Sequence, residues 1–327
     1  MPSISVIIPI YNVEKYIEKC IYSIFNQTIQ ESIEFIFVDD NSPDRSLSIL
    51  NRILTEYPNR KNQIRIISHK RNKGLAAARN SGMQIATGDY ILHCDSDDWL
   101  EPDMILSMYN RAIETDADIV TCDFYGNYKK REIYYPQLIP NIPSEYFSMM
   151  LEGRAHYAPW NKLIKSELYA KVSPLWTEGI NMWEDVSVIP RLVYYANKIE
   201  HIARPLYHYN QVNNNSYSKD WNENSILNII AATEIIRTFV KSVDIDNRYL
   251  SRVSLLMGHA KLSILLHCPI EHIKKYRYIY PEFKLSDIKH ISLPLVNKVI
   301  LGLFLCSQIK LGRYIFKGIE KLKKIIR

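Results

Sequence analysis

Tyr90-Ile91-Leu92-His93-Cys94-Asp95-Ser96-Asp97-Asp98 joins a short apolar run to a dense acidic cluster. The apolar half predicts a buried β-strand, and Pro102 shortly after the cluster suits the first turn of a helix. The three carboxylates are therefore expected at the carboxyl end of a strand. In an open α/β sheet, that edge is where ligands bind.

Carboxylates this close together repel one another, so the cluster needs a cation or a wide solvent shell. A hard divalent ion with oxygen ligands, Mn²⁺ or Mg²⁺, fits, particularly when a substrate phosphate completes the coordination shell. A D-x-D pattern is common, however, and these residues alone leave a solvated acidic turn as an equal alternative.

Composition limits the class of protein. The chain has 327 residues, 47% hydrophobic and 23% charged, which is ample for one large core or two domains. The net formal charge of +6 by itself says little about binding partners. Five widely spaced cysteines without a C-x-x-C pair argue against a disulfide framework or a zinc site, and for a reducing compartment. We see no signal-peptide pattern, and no run is long and apolar enough to predict a transmembrane helix.

Strand and helix patterns alternate strictly up to Phe124. The predicted strands are residues 3–9, 34–38, 63–67, 90–94 and 118–124. A helix is predicted after each of the first four strands, and Ser42 is expected to cap the second helix, with Pro43 at its first position. This order predicts a doubly wound α/β unit with a mostly parallel sheet.

Beyond Phe124 the chain changes character twice. Residues 125–215 are rich in Tyr, Trp, Pro and Asn, which is typical of loops and short strands that line a binding surface. Further on, apolar spacing predicts two helices, and residues 297–327 carry eight Lys or Arg against the single acid Glu320. We therefore predict two domains, residues 1–216 and 217–327, with Asn213-Asn214-Asn215-Ser216 as a plain linker or a mobile lid.

Asp39-Asp40 forms a second acidic cluster at the end of a predicted strand. The first strand is followed by neither G-x-G-x-x-G nor G-x-x-x-x-G-K-[ST], which disfavours a dinucleotide-binding fold and a P-loop enzyme. A nucleotide must then be held in another way. Asp39 could accept a hydrogen bond from a base edge, while Lys73 and Arg79 could neutralise a diphosphate or buttress the acids. A turn or helix-capping role for Asp39 is equally open.

Five segments form a set that is far more specific than any one of them. They are Val6-Ile7-Ile8-Pro9-Ile10-Tyr11-Asn12, Phe37-Val38-Asp39-Asp40-Asn41-Ser42-Pro43-Asp44, Asn72-Lys73-Gly74-Leu75-Ala76-Ala77-Ala78-Arg79-Asn80-Ser81-Gly82, Asp95-Ser96-Asp97-Asp98 and Trp183-Glu184-Asp185. Together they resemble the family 2 nucleotide-sugar glycosyltransferases of the GT-A fold, inverting enzymes common in bacterial polysaccharide synthesis. The resemblance covers about residues 3–215 and implies a GT-A sheet flanked by helices, to which we add a C-terminal mainly helical region. One departure is Asn41, where a glycine is frequent.

On the nucleotide side, the resemblance implies that Pro9 and Tyr11 border the nucleotide, with Tyr11 beside the base. It implies that Asp39 binds the uracil edge of a UDP-sugar and that Asp40 supports the site. It also implies that Arg79 lies near the base and the acidic loop.

On the reaction side, the resemblance implies that Asp95 contacts the ribose or the sugar, in the same loop as Ser96. Asp97 would be the main direct ligand of the Mn²⁺ or Mg²⁺ that bridges the diphosphate. Asp185 would be the general base, and His208 lies where relatives often place a residue that reaches the diphosphate or the metal.

The chemistry of inverting transfer agrees with this separation of metal site and base. One base opposite the leaving group takes a proton from the acceptor hydroxyl, and a metal stabilises the charge on the leaving diphosphate. The residues alone still allow Glu184 and Asp185 to be acids that merely start a helix. They also allow Trp160, in Trp160-Asn161-Lys162, to stack on a sugar or to pack in the core.

The sequence thus predicts a cytoplasmic, inverting, metal-dependent glycosyltransferase that moves a sugar from a UDP-sugar to a saccharide acceptor, including a lipid-linked one. The alternatives are a nucleotidyltransferase, which would carry a glycine-rich basic phosphate loop near the first strand, and a silent nucleotide- or sugar-binding scaffold. Nucleic acid is not an expected partner, because no basic face with interleaved aromatics is evident on the sheet domain.

The basic C-terminus has three interpretations. It is a solvated helix, a contact for a partner protein, or a peripheral anchor on the inner face of the cell membrane. In the membrane interpretation, Leu303, Phe304, Ile315 and Phe316 would insert while Lys and Arg meet the headgroups.

Overall fold

A computed structural model of the chain describes residues 3–29, 32–213 and 221–326. The chain divides into two compact units, one formed by residues 1–146 and 157–216 and the other by residues 147–156 and 217–327. Residues 147–156 thus group with the second unit, although they lie within the predicted domain of residues 1–216. Of the predicted linker or lid, residues 214–216 lie outside the described residues.

A nine-stranded mixed sheet forms the centre of the first unit. Its strands are β1 Ile4–Ile10, β2 Ile33–Asp39, β3 Ile64–Ser68, β4 Tyr90–His93, β5 Trp99–Leu100, β6 Ile119–Asn127, β7 Glu132–Tyr135, β8 Lys162–Lys165 and β9 Ile199–Asn210. They lie in the order β3-β2-β1-β4-β8-β6-β9-β5, with β7 paired to β6.

The first four strands are parallel, as predicted, but β8 runs antiparallel to both of its neighbours. Strands β6 and β9 also pair in parallel, whereas β5, β7 and β8 pair antiparallel, so the second half of the sheet is mixed rather than mostly parallel. The strict alternation that predicts a mostly parallel sheet ends at Phe124, and β8 lies beyond that point. Antiparallel neighbours need no regular crossover helix between them.

Within residues 3–29 and 32–198, the structure has seven α-helices. They are α1 Ile17–Phe25, α2 Ser46–Leu54, α3 Leu75–Ile85, α4 Met104–Thr115, α5 Pro143–Leu151, α6 Ser166–Ala170 and α7 Glu184–Tyr195. Helix α2 begins at Ser46 rather than at Pro43, and no side chain caps it. The Asp44 carboxylate instead accepts hydrogen bonds from Ser42 Oγ, from Ser46 N and Oγ, and from Glu14 N. Ser42 and Asp44 therefore hold the loop before the helix instead of forming its first turn.

Packing on both faces of β1 fixes the centre of the sheet. The apolar stripe of α1 is buried in one core cluster with Val6, Ile8 and Ile10. Helix α3 lies close to the sheet because its residues are small: a Cβ added at Gly82 would come within 2.5 Å of Ile7 Cγ2. A larger side chain there would push α3, and the residues it carries, away from the sheet.

Strand β1 pairs in parallel with β2 on one side and with β4 on the other. Ile10 is in register with Asp39, and Ile7 is in register with His93. The carboxyl ends of parallel strands meet at one edge of a sheet. The loops that start at Asp39 and at Asp95 therefore flank the end of β1.

The second unit is helical. Its helices are α8 Glu223–Val243, α9 Leu250–His267, α10 Ile273–Tyr276, α11 Leu295–Leu305 and α12 Ile309–Ile326. Most of the apolar positions that predict α8 and α9 are buried, among them Ile229, Ile236 and Leu265. Among the residues described, none of the helices combines the length and hydropathy that a bilayer span needs.

Candidate active site

The loop after β2 uses its two aspartates differently. Asp40 Oδ1 accepts a hydrogen bond from Lys73 N at 2.8 Å and lies 2.6 Å from His69 Nδ1, while its Oδ2 accepts one from Gly74 N at 2.7 Å. Asp40 thus ties the end of β2 to the loop before α3. Asp39 Oδ1 accepts a hydrogen bond from Ser42 N at 2.9 Å, so this turn uses one of its two carboxylate oxygens.

The remaining nucleotide-side residues lie around this loop. Pro9 is buried within β1, whereas Tyr11, just beyond the strand, is 42% exposed. The side chain of Lys73 is exposed, and its backbone N–H is the one held by Asp40. Tyr11 and Lys73 are therefore accessible to a ligand at the edge where β1 and β2 end.

The loop after β4 buries one carboxylate deeply. Asp98 is 1% exposed, and it accepts hydrogen bonds from the Tyr207 hydroxyl at 2.8 Å and from Asn210 N at 2.7 Å. Burial, together with the nearby charges of Asp97 and Asp95, raises the pKa of Asp98 well above its usual range. Asp98 therefore anchors the loop to β9.

The other acids of this loop are more accessible. Asp97 and Asp95 are half-buried, and Ser96 between them is buried. Asp97 Oδ2 accepts a hydrogen bond from Asn213 Nδ2 at 2.7 Å, and the Asp97 backbone carbonyl accepts one from Asn210 Nδ2 at 3.0 Å. Both amides orient the loop and leave Asp97 near solvent.

Arg79 on α3 links this loop to a helix that is distant in sequence. Its guanidinium is buried and lies 3.0 Å from Asp95 Oδ1 and 2.7 Å from Glu184 Oε1. The indole ring of Trp176 lies beneath it, with the guanidinium carbon 4.8 Å from the ring centroid. Burial opposes the charge of Arg79, but Asp95 and Glu184 outweigh burial and raise its pKa. The first turn of α7 is thereby held beside the acidic loop.

Glu184 and Asp185 open α7, after Trp183 in a left-handed conformation with φ of +64°. Both acids do start a helix, as the alternative interpretation expected. Glu184 is held by Arg79, whereas Asp185 Oδ1 accepts a hydrogen bond from Val186 N at 2.7 Å. Burial raises the pKa of each acid, and repulsion from Asp185 adds to the rise for Glu184. A carboxylate whose pKa is raised toward neutrality is better matched to general-base work.

Lys162 is a buried cation in the same region. Its Nζ donates hydrogen bonds to the Ala158 carbonyl at 2.7 Å and to Asn161 Oδ1 at 2.8 Å. Burial lowers the pKa of Lys162 to about 7, and attraction to Asp185 opposes that fall. The charge of Lys162 in turn lowers the pKa of Asp185. Lys162 is thus an electrostatic neighbour of the predicted base.

Trp160 packs in the core. It is buried, it stacks on Tyr207 with ring centroids 4.4 Å apart, and it meets Phe124 edge-on at 4.9 Å. Its ring is therefore covered by protein, which answers the alternative that the sequence left open. Because the Tyr207 hydroxyl binds Asp98, Trp160 supports the acidic loop indirectly.

His208 has partners on both ring nitrogens. Nε2 lies 2.7 Å from Glu101 Oε1, and Nδ1 lies 3.3 Å from Glu132 Oε2. The ring is stacked between Trp99 and Tyr125, with centroid distances of 5.0 Å and 5.1 Å. Binding to a metal would require Glu101 to release Nε2, so that role stays a prediction.

Five polar residues hold these loops; sequence reasoning gives no site role to four of them and places the fifth, Asn213, in a linker or lid. Tyr207, Asn210 and Asn213 bind the acidic loop, His69 binds Asp40, and Asn181 Oδ1 accepts a hydrogen bond from Ala76 N. The high density of Asn after β9 is a usable signal, although by itself it predicts only a linker or a lid. His69 and Asn181 carry no local signal, because their partners lie far away in sequence.

The donor set suits one kind of metal. Within residues 3–29, 32–213 and 221–326, no three His, Cys, Asp or Glu side chains are grouped so as to hold a metal ion. Asp98 is hydrogen-bonded in the interior and Asp95 is paired with Arg79, which leaves Asp97 as the best-placed carboxylate. Mg²⁺ typically binds one or two carboxylates and completes its shell with water and substrate phosphates. The loop fits such an ion.

Solved structures share this architecture. TarS 1-349 of S. aureus in complex with UDP matches with a TM-score of 0.72 and 18% identity, covering 98% of this chain and 92% of that one, and TarS was also solved with UDP-GlcNAc. The mannosyltransferase PcManGT from Pyrobaculum calidifontis, in complex with GDP-Man and Mn²⁺, matches with a TM-score of 0.50 and 15% identity, covering 96% of this chain and 87% of that one. At these identities the likeness shows the fold alone, a GT-A-like mixed sheet flanked by helices.

Relatives in sequence give the family. EpsH and EpsJ of Bacillus subtilis (strain 168), both named as glycosyltransferases, are each 34% identical to this chain, over 216 and 218 residues. The alignments cover 64% of this chain and 60% and 62% of those relatives, so the chain spans less than two thirds of their length. The family model described as Glycosyl transferase family 2 matches residues 5–172, about half of the chain. The chain belongs to glycosyl transferase family 2.

Proposed function

We propose that this chain is an inverting, metal-dependent glycosyltransferase that moves a sugar from a UDP-linked donor to a saccharide acceptor in bacterial polysaccharide synthesis. The observation that carries the proposal is the Arg79 bridge, which holds Asp95 and the first turn of α7 together. The UDP and UDP-GlcNAc complexes of TarS, a protein of the same fold, support a UDP-linked donor. The acceptor is a saccharide, including one carried on a lipid.

The donor nucleotide lies at the end of β1 in this proposal. Asp39 accepts a hydrogen bond from the uracil N–H through the oxygen that its turn does not use, and Tyr11 lies beside the base. Asp40 keeps the loop before α3 in place, because it holds two of that loop's backbone N–H groups. Lys73 then presents a positive side chain toward the diphosphate.

The diphosphate lies by the acidic loop. Asp97 would hold Mn²⁺ or Mg²⁺ there, and the ion when bound supplies positive charge that stabilises the leaving UDP. The Mn²⁺ complex of PcManGT, another protein with this fold, supports the assignment. Asp95, fixed by Arg79, accepts a hydrogen bond from a hydroxyl of the ribose or the sugar.

Asp185 takes the proton in the reaction. The acceptor oxygen attacks the anomeric carbon as the bond from that carbon to UDP breaks, and the hydroxyl proton moves to the Asp185 carboxylate. Its raised pKa suits this task near neutral pH. Glu184 positions α7 through Arg79, so the two neighbouring acids have different tasks.

Calorimetric titration with UDP tests the donor and metal assignments. We expect UDP to bind more tightly with Mn²⁺ than without it, and Asp97→Asn to weaken binding in Mn²⁺ by about a hundredfold. Asp89→Asn is the matched control, since Asp89 is an exposed acid next to β4. The control should bind as the wild type does.

Turnover of a panel of UDP-sugars tests the activity, with released UDP as the signal. Absence of UDP binding in every metal condition would contradict the donor assignment. Binding that is equal with and without Mn²⁺ would contradict the metal. Tight binding without turnover of any UDP-sugar, with saccharide acceptors supplied, would favour a silent scaffold instead.

A further inference from the structure

Helix α11 is apolar on two sides, and one of them is exposed. Ile300, Leu301 and Phe304 are buried in the second unit. The exposed stripe, as we call it, comprises Leu295, Val296 and Val299, of which Leu295 is 79% and Val299 is 50% exposed. Residues three and four apart share one face of a helix, so the stripe continues toward Leu303, which is half-buried.

Helix α12 also has an outward face, with a different composition. We call it the lysine face: Lys310, Leu311, Tyr314, Lys317 and Lys321, all of them exposed. The two apolar side chains lie between lysines on the helix surface. Lysine stems can lie along apolar surroundings while the charged ends reach polar ones.

Packing within the second unit fixes which residues face outward. A Cβ added at Gly312 would come within 2.6 Å of Phe304 Cε1, so α12 lies directly on α11. Arg313 Nη1 also donates a hydrogen bond to the Cys268 carbonyl at 2.7 Å. These contacts leave the exposed stripe and the lysine face outside the helix pair.

The residues that the sequence analysis expected to insert into a membrane are a different set. Phe304 is buried, and Leu303, Ile315 and Phe316 are half-buried. The expectation is wrong for Phe304, because its ring packs against α12 at Gly312. Hydrophobicity alone did not distinguish a side chain that joins two helices from one that faces outward.

We propose that the exposed stripe and the lysine face bind the surface of a membrane that contains anionic phospholipid. Residues 297–327 carry eight basic residues and one acid, which complements a negatively charged surface. An interfacial helix places apolar side chains at the boundary of headgroups and acyl chains, with lysines at the headgroups. The proposal does not depend on the proposed function, since both faces belong to the second unit.

Vesicle flotation of the full-length chain tests the proposal. We expect the wild type to float with vesicles of phosphatidylcholine and phosphatidylglycerol, and to stay in the dense fraction with phosphatidylcholine alone. The double variant Lys310→Gln/Lys317→Gln should lower the partition coefficient about 25-fold, because each surface lysine contributes about fivefold. Leu295→Ser/Val299→Ser should lower it about tenfold or more, because it removes apolar side chains that insert.

Matched controls lie in the first unit. Lys129→Gln/Lys130→Gln removes the same charge from an exposed turn, and Leu138→Ser replaces a leucine that is 77% exposed. Both should float as the wild type does, and circular dichroism should show equal helix content in every variant.

Three results would overturn the proposal. The first is absence of flotation with the anionic vesicles, and the second is equal flotation of the test and control variants. The third is a wild-type dimer in sedimentation that Leu295→Ser/Val299→Ser converts to monomer without any vesicle binding, which would assign the stripe to a second copy. UDP binding by the same preparations distinguishes each result from failure of the proposed function.

Discussion

The acidic loop after β2 and the acidic loop after β4 look alike in sequence and differ in electrostatics. After β2, Asp39 and Asp40 are both buried, and Asp40 is surrounded by hydrogen-bond donors of the chain. After β4, Asp95 pairs with Arg79, which also serves Glu184, whereas Asp98 and Asp97 accept hydrogen bonds from neutral groups of β9 and of the segment that follows it. The first loop is suited to hydrogen bonding with a neutral group, and the second keeps negative charge that a cation can neutralise.

Within each loop, the chain uses one carboxylate for its own structure and leaves its neighbour more accessible. Asp40 and Asp98 accept backbone hydrogen bonds from distant segments, whereas Asp97 lies near solvent. The first turn of α7 repeats this division, with Glu184 held by Arg79 and Asp185 beside it. The comparison teaches that the partners of two neighbouring acids can give them different roles. Substituting each acid of a pair in turn tests whether the two roles differ.

The largest effect is expected at the α7 pair. Asp185→Asn should lower kcat about a thousandfold, because the proposed general base is lost, while UDP binding and the thermal midpoint stay close to those of the wild type. Glu184→Gln is the matched variant: its amide can still accept the hydrogen bond from Arg79, so kcat should fall less than tenfold. The measurement is UDP release at saturating donor. Turnover within tenfold of the wild type in Asp185→Asn would remove Asp185 from the reaction.

The β2 loop should show the next largest effect, on stability. Asp40→Ala removes three polar contacts and leaves buried backbone N–H groups unpaired, so the free energy of unfolding should fall by about 3 kcal/mol. Asp39→Ala removes one turn hydrogen bond and should cost about 1 kcal/mol, with a larger relative loss of UDP affinity. Urea unfolding and calorimetry give the two readouts. Equal losses of stability in the two variants would contradict the division of roles.

The same comparison in the loop after β4 should give smaller changes in the free energy of unfolding. Asp98→Ala leaves the Tyr207 hydroxyl and the backbone N–H of Asn210 without their acceptor. It also relieves the repulsion between Asp98 and Asp97, so the free energy of unfolding should fall by about 2 kcal/mol. Asp97→Ala should change stability by about 0.5 kcal/mol or less and abolish the Mn²⁺ dependence of UDP binding. If Asp97 instead had the structural role, Asp97→Ala would lower the free energy of unfolding in urea more than Asp98→Ala does.

The first hundred residues of the fold were largely predictable from sequence. Apolar runs followed by Asp39 and Asp95 predicted parallel strands whose ends meet, and β1, β2 and β4 confirm it. Local pattern was enough because each of these strands is buried and each is followed by a helix. The second half was not predictable in this way, since β8 pairs antiparallel where composition showed only loops and short strands.

In the candidate site, too, some residues could be predicted from the sequence and others could not. Acids that follow a strand can be found from the strand, as Asp97 was. Their partners cannot: His69 is recognised only through its contact with Asp40, and Tyr207 only through its contact with Asp98. Such pairs are set by tertiary contacts between distant segments, and the partner of the acid carries no local sequence signal. The roles predicted for the site residues therefore remain predictions, while their neighbours are now known.

The smallest effect concerns the electrostatic link between Lys162 and Asp185. In its proposed role as the general base, Asp185 must be ionised to accept a proton, so kcat should fall as pH falls through its pKa, which burial raises. The charge of Lys162 lowers that pKa, so Lys162→Met should move the acid limb of the kcat profile to higher pH by up to about one unit. The shift should be clearest below pH 7, because the pKa of Lys162 itself is about 7.

Stability provides an independent check on the same substitution. The pKa of Lys162 is lowered from 10.5 to about 7 in the folded chain, so the unfolded chain binds a proton there more readily. The wild type should therefore lose stability as pH falls from about 10 toward 7, and Lys162→Met should flatten that slope. Lys165→Met is the control, because the hydrogen bonds from Lys165 to Asp116 and Asp118 outweigh the effect of burial and raise its pKa. An acid limb that moves equally in both variants would show that Lys162 has no particular influence on Asp185.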